Sequence, residues 1–166
     1  IVEFYNLSTR NKINVAQKEL ITLGSIDEDN PATRALNHFY DPIHNMGITD
    51  YRTAKEWALD PVTINDYSWP KIIQYYAEGD EWKAYFGLGH IIHLLEDMGV
   101  PDHTRNDPHI GVGLTGLFTG NSPFEDWAGE NKNQQTLSGL GSQFFNDGAV
   151  KNALSSLGEY FNFMAG

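Results

Sequence analysis

The chain of 166 residues, 40% hydrophobic and 13% aromatic, is the size of one ordinary domain and can bury a core of its own. Eleven Lys and Arg against 22 Asp and Glu leave a net charge of −11, which repels nucleic-acid backbones and anionic lipid surfaces unless cations intervene. The absence of cysteine excludes disulfides and thiolate zinc sites, so a transition metal would have to be held by His, Asp, Glu and backbone oxygens.

No apolar run approaches the roughly 20 residues of a membrane span, and no basic signal region is present. Helical periodicity runs through the chain, while strand alternation is almost absent. From about Asn11 to Leu23, Ile13, Val15, Ala16, Leu20 and Ile21 fall near helical spacing, and Gly24 follows as the expected C-terminal cap. Pro31 opens a short helix running toward His38. Thr49 is the expected cap of "DYRTAKEWALD", and "SWPKIIQYYAEG" begins with Ser68 as cap and Pro70 in the first turn. Asp80 begins the longest helix, which ends near Met98 ahead of Gly99 and Pro101. Gly87 and Gly89 sit inside it at a cost of about 1 kcal/mol each relative to Ala, which points to the close approach of another backbone. "NDPHIGVGLTGLFTGNSP" reads as a Gly-rich loop. A short helix from Pro123 and two more, around Gln134 to Phe145 and Ala149 to Met164, complete an all-α fold, a compact multi-helix bundle.

Two clusters carry chemistry. In "GLGHIIHLLEDMGVPDHTRND", His93 and Asp97 lie at i and i+4 on one helix face, within reach of a shared ion. His90 and Glu96 are nearby but less well aimed, and the turn through Gly99 and Pro101 can swing His103 back toward the same face. Taken alone, the pair also describes a core histidine beside a solvated aspartate. In "GSIDEDNPATRALNHFYDP", Asp27, Glu28 and Asp29 stand at a loop-to-helix junction, with His38 one short helix later. Such an acidic run by itself complements a helix dipole; joined to the first cluster, it supplies further metal ligands.

"LNHFYDP" followed by "LGHIIHLLEDMGVPDH" resembles the bacterial zinc-dependent phospholipase C family, whose distant relatives are zinc nucleases that cut single-stranded nucleic acid. The likeness runs from about Asp27 to Trp127, and the H-x-x-x-D-x5-H element with Pro101 before its last His is its most specific part. The resemblance implies an all-α bundle of the phospholipase C and zinc nuclease type, holding up to three zinc ions at the base of a cleft. Carried over by position, Asp29, His38, His93 and Asp97 are the expected ligands of the first zinc, with Asp97 bridging toward another ion, and His103 is a ligand of the second. Glu125 takes the place of the Glu in the family's H-x-x-x-E pair, but Asn121, a poor zinc ligand, stands where the His should be, so Asn121 or His109 would complete that site. His44 and His90 match no family position and read as structural. The family's third zinc uses a free N-terminal Trp and an early His, whereas this chain begins at Ile1 and has no His before His38. The expectation is therefore a single domain over residues 1–166 that lacks its native N-terminal segment and binds one or two zinc ions.

The implied activity is phospholipase C-like hydrolysis of a phospholipid phosphodiester. Zinc acidifies water and neutralises phosphate charge, and Asp29 would orient or deprotonate the attacking water. A phospholipid substrate, transient contact with a membrane surface and a secreted or extracellular location follow from the same resemblance. Family members recognise choline with an aromatic directly after the ligand Asp; Asn30 occupies that place, which implies broad headgroup selectivity. Two other readings compete. A single-strand nuclease is disfavoured by Glu125, the lack of cysteine and the sparse Lys and Arg, while a non-catalytic metal-stabilised module is favoured by Asn121 and the missing first ligands.

Overall fold

A computed structural model describes residues 12–62, 64–108, 123–130 and 157–165, and its helices begin where side chains can satisfy free backbone donors. Asn14 caps α1 (Val15–Asp27): its Oδ1 accepts from Gln17 N at 2.9 Å, while Gln17 Oε1 accepts from Asn14 N at 3.0 Å. A short 3-10 helix, Ala32–Asn37, follows the cis Asn30–Pro31 peptide and delivers His38. α2 (Ala54–Leu59) is capped by Thr53 rather than by Thr49. Thr49 has φ 50, a left-handed conformation, whereas Thr53 is extended and exchanges cap bonds with Glu56.

Ser68 does precede α3 (Trp69–Glu78), though its hydroxyl makes no cap bond. Asp80 accepts from Lys83 N at 3.1 Å and starts α4 (Glu81–Asp97), the longest described helix. Three shorter helices follow: α5 (Pro101–Thr104), α6 (Pro123–Gly129) and α7 (Leu157–Ala165). Among the described residues there is no strand, only an isolated bridge between Asp41 and Met46, so the fold is all-α. The expected helix start at Asn11, the expected helix from Gln134 to Phe145 and the first part of the last one lie outside the described residues.

Among the described helices, α1 and α4 pack most extensively, with α3 also against α4. The reason is two glycines. A Cβ on Gly24 would stand 1.8 Å from Phe86 O, and one on Gly89 would stand 2.1 Å from Ile21 O and 2.6 Å from Ser25 N. Gly24 is therefore a contact glycine and not the cap expected from its sequence: α1 continues through it to Asp27. Gly89 meets backbone as expected, while Gly87 leaves room for the side chains of Ile72 and Tyr67.

α4 carries two adjacent stripes at the same helical spacing. Ile91, Leu94 and Met98 are buried in the core with Trp57, Ile72 and Phe161, each large side chain contributing about 1.5–3 kcal/mol of apolar burial. One position earlier, His90, His93 and Asp97 form a polar stripe that runs beside the end of α1. α7 is docked by Asn162, whose Oδ1 accepts from Tyr40 OH at 2.9 Å and Lys55 Nζ at 2.8 Å.

Gly89→Ala should force α1 and α4 apart and destabilise the protein by about 1–3 kcal/mol in urea denaturation. An unchanged midpoint would show that the crossing tolerates a methyl group.

Candidate metal centre

The polar stripe of α4 becomes a site because α1 ends beside it. Ser25 lies in the last turn of α1, where carbonyls lack intrahelical donors, and His93 Nδ1 donates to Ser25 O at 2.8 Å. That bond leaves His93 Nε2 as the bare nitrogen, aimed at Asp97 Oδ2 (3.4 Å) and Asp29 Oδ1 (3.7 Å). His38, delivered by the 3-10 helix, places Nδ1 3.0 Å from Asp97 Oδ2 and 3.6 Å from Asp29 Oδ1. Ligand atoms of Asp29, His38 and His93 lie within 4.8 Å of one another, the spacing at which one ion can bind all three.

The turn after α4 also brings His103 back. His103 Nδ1 donates to His38 O at 3.0 Å, and its own carbonyl accepts from Tyr40 N at 3.0 Å, so the two segments clamp each other. The ring stacks on Phe39 with centroids 4.8 Å apart. Its Nδ1 is 3.7 Å from Asp97 Oδ2, while Nε2 faces Glu125 Oε1 at 3.6 Å across to α6. Asp97 Oδ2 is buried and has no aligned hydrogen-bond donor, although three imidazoles surround it. A buried carboxylate oxygen that three imidazoles approach without an aligned donor fits a bound cation, in place of the protons that would otherwise pair it. The donor set of imidazole nitrogen and carboxylate oxygen suits zinc.

Without a bound cation, protons balance the buried carboxylates. Burial opposes the charged form of His38, but Asp97 and Glu28 outweigh it and raise the imidazole to about 9. Burial would raise the Asp97 carboxyl, yet His38 and His93 hold it well below the usual carboxylate range. His93 and His103 are raised as well, burial being outweighed by Asp97 for the first and by Glu125 and Asp97 for the second. Without metal, the carboxylates therefore gather protons on the imidazoles.

The structure thus brings together Asp29, His38, His93, Asp97, His103 and Glu125. Asn121 and His109 lie outside the described residues. His44 is exposed and pairs with Asp41 at 2.6 Å, away from the cluster. His90 is buried on the far side of Glu28, stacked on Tyr67 at 4.5 Å. The residue that sequence reasoning passed over is Glu28, which has no exposed surface and is bonded by Arg34, Trp57 and His90. Burial would raise its carboxyl, but His38, His90 and Arg34 hold it far below the usual range. In the sequence it is one of three consecutive acids, and only the Arg six residues later hints that the middle one turns inward. Neither a known family model nor a curated protein matches the chain.

In metal-free protein, His38 is protonated more readily folded, at about 9, than at its ordinary 6.5. Its stabilising contribution is fully present below about pH 6.5 and is lost as pH rises through about 9, on the order of 3 kcal/mol. Chelator-treated protein should accordingly show a lower urea midpoint at pH 9.5 than at pH 6.5. His38→Gln should shrink that difference without abolishing it, because His93 and His103 are raised too.

Proposed function

We propose that this chain is a zinc-dependent phosphodiester hydrolase of the phospholipase C type. The observation that carries the reading is the buried Asp97 oxygen without an aligned donor, ringed by His38, His93 and His103 and completed by Asp29. Asp29, His38, His93 and Asp97 would hold one ion, and His103 with Glu125 a second that shares Asp97. Zinc held there would supply Lewis acidity, lowering the pKa of water and neutralising phosphodiester charge. A locally cationic centre also reconciles a chain of net charge −11 with an anionic substrate.

The protein's own groups divide the remaining work. The Asp29 side chain is 60% exposed, so water can reach the carboxylate that also faces His38 and His93. It can orient that water and accept its proton. His93 and His103 are each tethered through Nδ1 to a backbone carbonyl, which fixes the ring and leaves Nε2 directed at the carboxylates.

A phospholipid is favoured over nucleic acid by the scarcity of Lys and Arg. No helix among the described residues is long and apolar enough to cross a membrane.

Zinc-equilibrated protein should carry at least about one ion per chain by elemental analysis, and His93→Ala should lower both metal content and Tm. Because protons compete for the same imidazoles, zinc affinity should fall as pH is lowered from about 9. The zinc-loaded protein should hydrolyse phosphatidylcholine and phosphatidylethanolamine with little discrimination and lose activity on chelation. Asp29→Asn should cost about 10²–10⁴-fold in turnover. Cleavage of single-stranded DNA without lipid hydrolysis would move the assignment to the nuclease branch, and zinc binding without turnover on either would leave a metal-stabilised module.

A further inference from the structure

On the metal-binding reading proposed above, we infer that Glu28 is the positioning carboxylate of the centre: it takes His38 Nε2, so that Nδ1 is the nitrogen offered to the ion. His38 has its two ring nitrogens on opposite sides of a buried boundary. Nδ1 faces Asp97 Oδ2 at 3.0 Å and Asp29 Oδ1 at 3.6 Å, while Nε2 is buried 3.5 Å from Glu28 Oε1 and has no aligned partner. A shift of about half an ångström would close an ordinary N–H···O bond there. The ring is 1% exposed, so water does not serve Nε2 in its place.

Glu28 is held where such a role needs it. Oε1 accepts from Trp57 Nε1 at 2.9 Å, and Oε2 accepts from Arg34 Nη2 at 2.5 Å and from His90 Nδ1. Arg34 Nε also donates to the Glu28 carbonyl at 3.0 Å, tying the guanidinium to the end of α1. Asn65 Oδ1 accepts from Arg34 Nη2 at 3.1 Å, while Asn65 Nδ2 donates to Trp57 O at 3.0 Å, closing the network on the core. A carboxylate needed only to neutralise Arg34 could remain near the surface, where the Arg34 side chain is still 15% exposed. Glu28 is instead fully buried, with Oε1 directed toward His38, the one of the three imidazoles around Asp97 that no backbone carbonyl holds among the described residues.

All three imidazoles then follow one rule, one nitrogen fixed by the protein and the other left for a metal: Nδ1 of His38 and Nε2 of His93 beside Asp97 and Asp29, and Nε2 of His103 beside Glu125. His93 is fixed by Ser25 O and His103 by His38 O, both through Nδ1; His38 reverses the usage because its acceptor is Glu28. An anionic acceptor also makes the His38 ring a stronger donor to a cation than a carbonyl would.

The deciding experiment loads ¹⁵N-histidine-labelled protein with ¹¹³Cd²⁺ and reads nitrogen–cadmium coupling. It should appear at Nδ1 of His38 and Nε2 of His93. In parallel, zinc affinity is measured by chelator competition for wild type, Glu28→Gln and His44→Gln. Glu28→Gln should lose about 10–100-fold, whereas His44→Gln, which removes an exposed imidazole paired with Asp41, should leave affinity nearly unchanged. Coupling at His38 Nε2, or equal losses in the two variants, overturns the role of Glu28 while leaving metal binding intact. Wild-type protein that binds neither zinc nor cadmium overturns both. Should Glu28→Gln fail to fold, the coupling pattern of wild type decides alone.

Discussion

α1 and α4 touch backbone to backbone at Gly24 and Gly89, and the geometry of the His and Asp cluster depends on that separation. With any side chain at either position, the Phe86 and Ile21 carbonyls would block the approach. Because the helices meet so closely, the Ser25 carbonyl in the last turn of α1 reaches the His93 ring, and the residues just past that end fall beside the polar stripe of α4. Glu28 and Asp29 are neighbours in the chain, yet one turns fully inward and the other stays largely in solvent. A wider crossing would leave His93 without its acceptor and Asp29 out of reach of both imidazoles.

The second constraint is the concentration of charge that this crossing buries. His38 stands between Asp97 and Glu28, both carboxylates in places where burial alone would neutralise them. An ionised carboxylate in a low-dielectric interior persists only with compensating charge, and here that charge is a proton on imidazole or the guanidinium of Arg34. On the metal reading, a divalent cation takes over from those protons on the Asp97 side, while Arg34 continues to balance Glu28. The two halves of the buried network are thus distinct, one exchangeable and one permanent, with the His38 ring as the wall between them.

The arrangement also separates rigidity from access. His38, His103 and Glu28 are locked by core packing and hydrogen bonds, whereas Asp29 is open to water. Groups that must hold a fixed geometry lie on α4 or are clamped against it; the group best suited to meet solvent lies in the connection after α1. On the proposed hydrolytic reading that division is what the site needs, since its ligands would have to stay fixed while water comes and goes.

Much of this was legible from residue order alone. Helical spacing is a local property, so the extent of α4 from Asp80 to near Met98 and the i, i+4 placement of His93 and Asp97 could be read directly. His38 and His103 were singled out with the help of their flanking residues, and Asp29 only through the family resemblance, since the acidic run by itself does not choose among its three members. Thr53 was missed as a cap because Thr49 offers the same chemistry, and only the backbone conformation distinguishes them. Gly24 read as a helix stop because a glycine that ends a helix and a glycine that admits another helix look identical until the second helix is present. Glu28 is the clearest case: nothing in Asp27-Glu28-Asp29 says which acid turns inward, because its partners Arg34, Trp57 and His90 come from three other segments. Residue order determined which side chains could bind a metal; the α1–α4 contact decided which of them share one space, because burial and hydrogen-bond partnership are properties of segments distant in the chain.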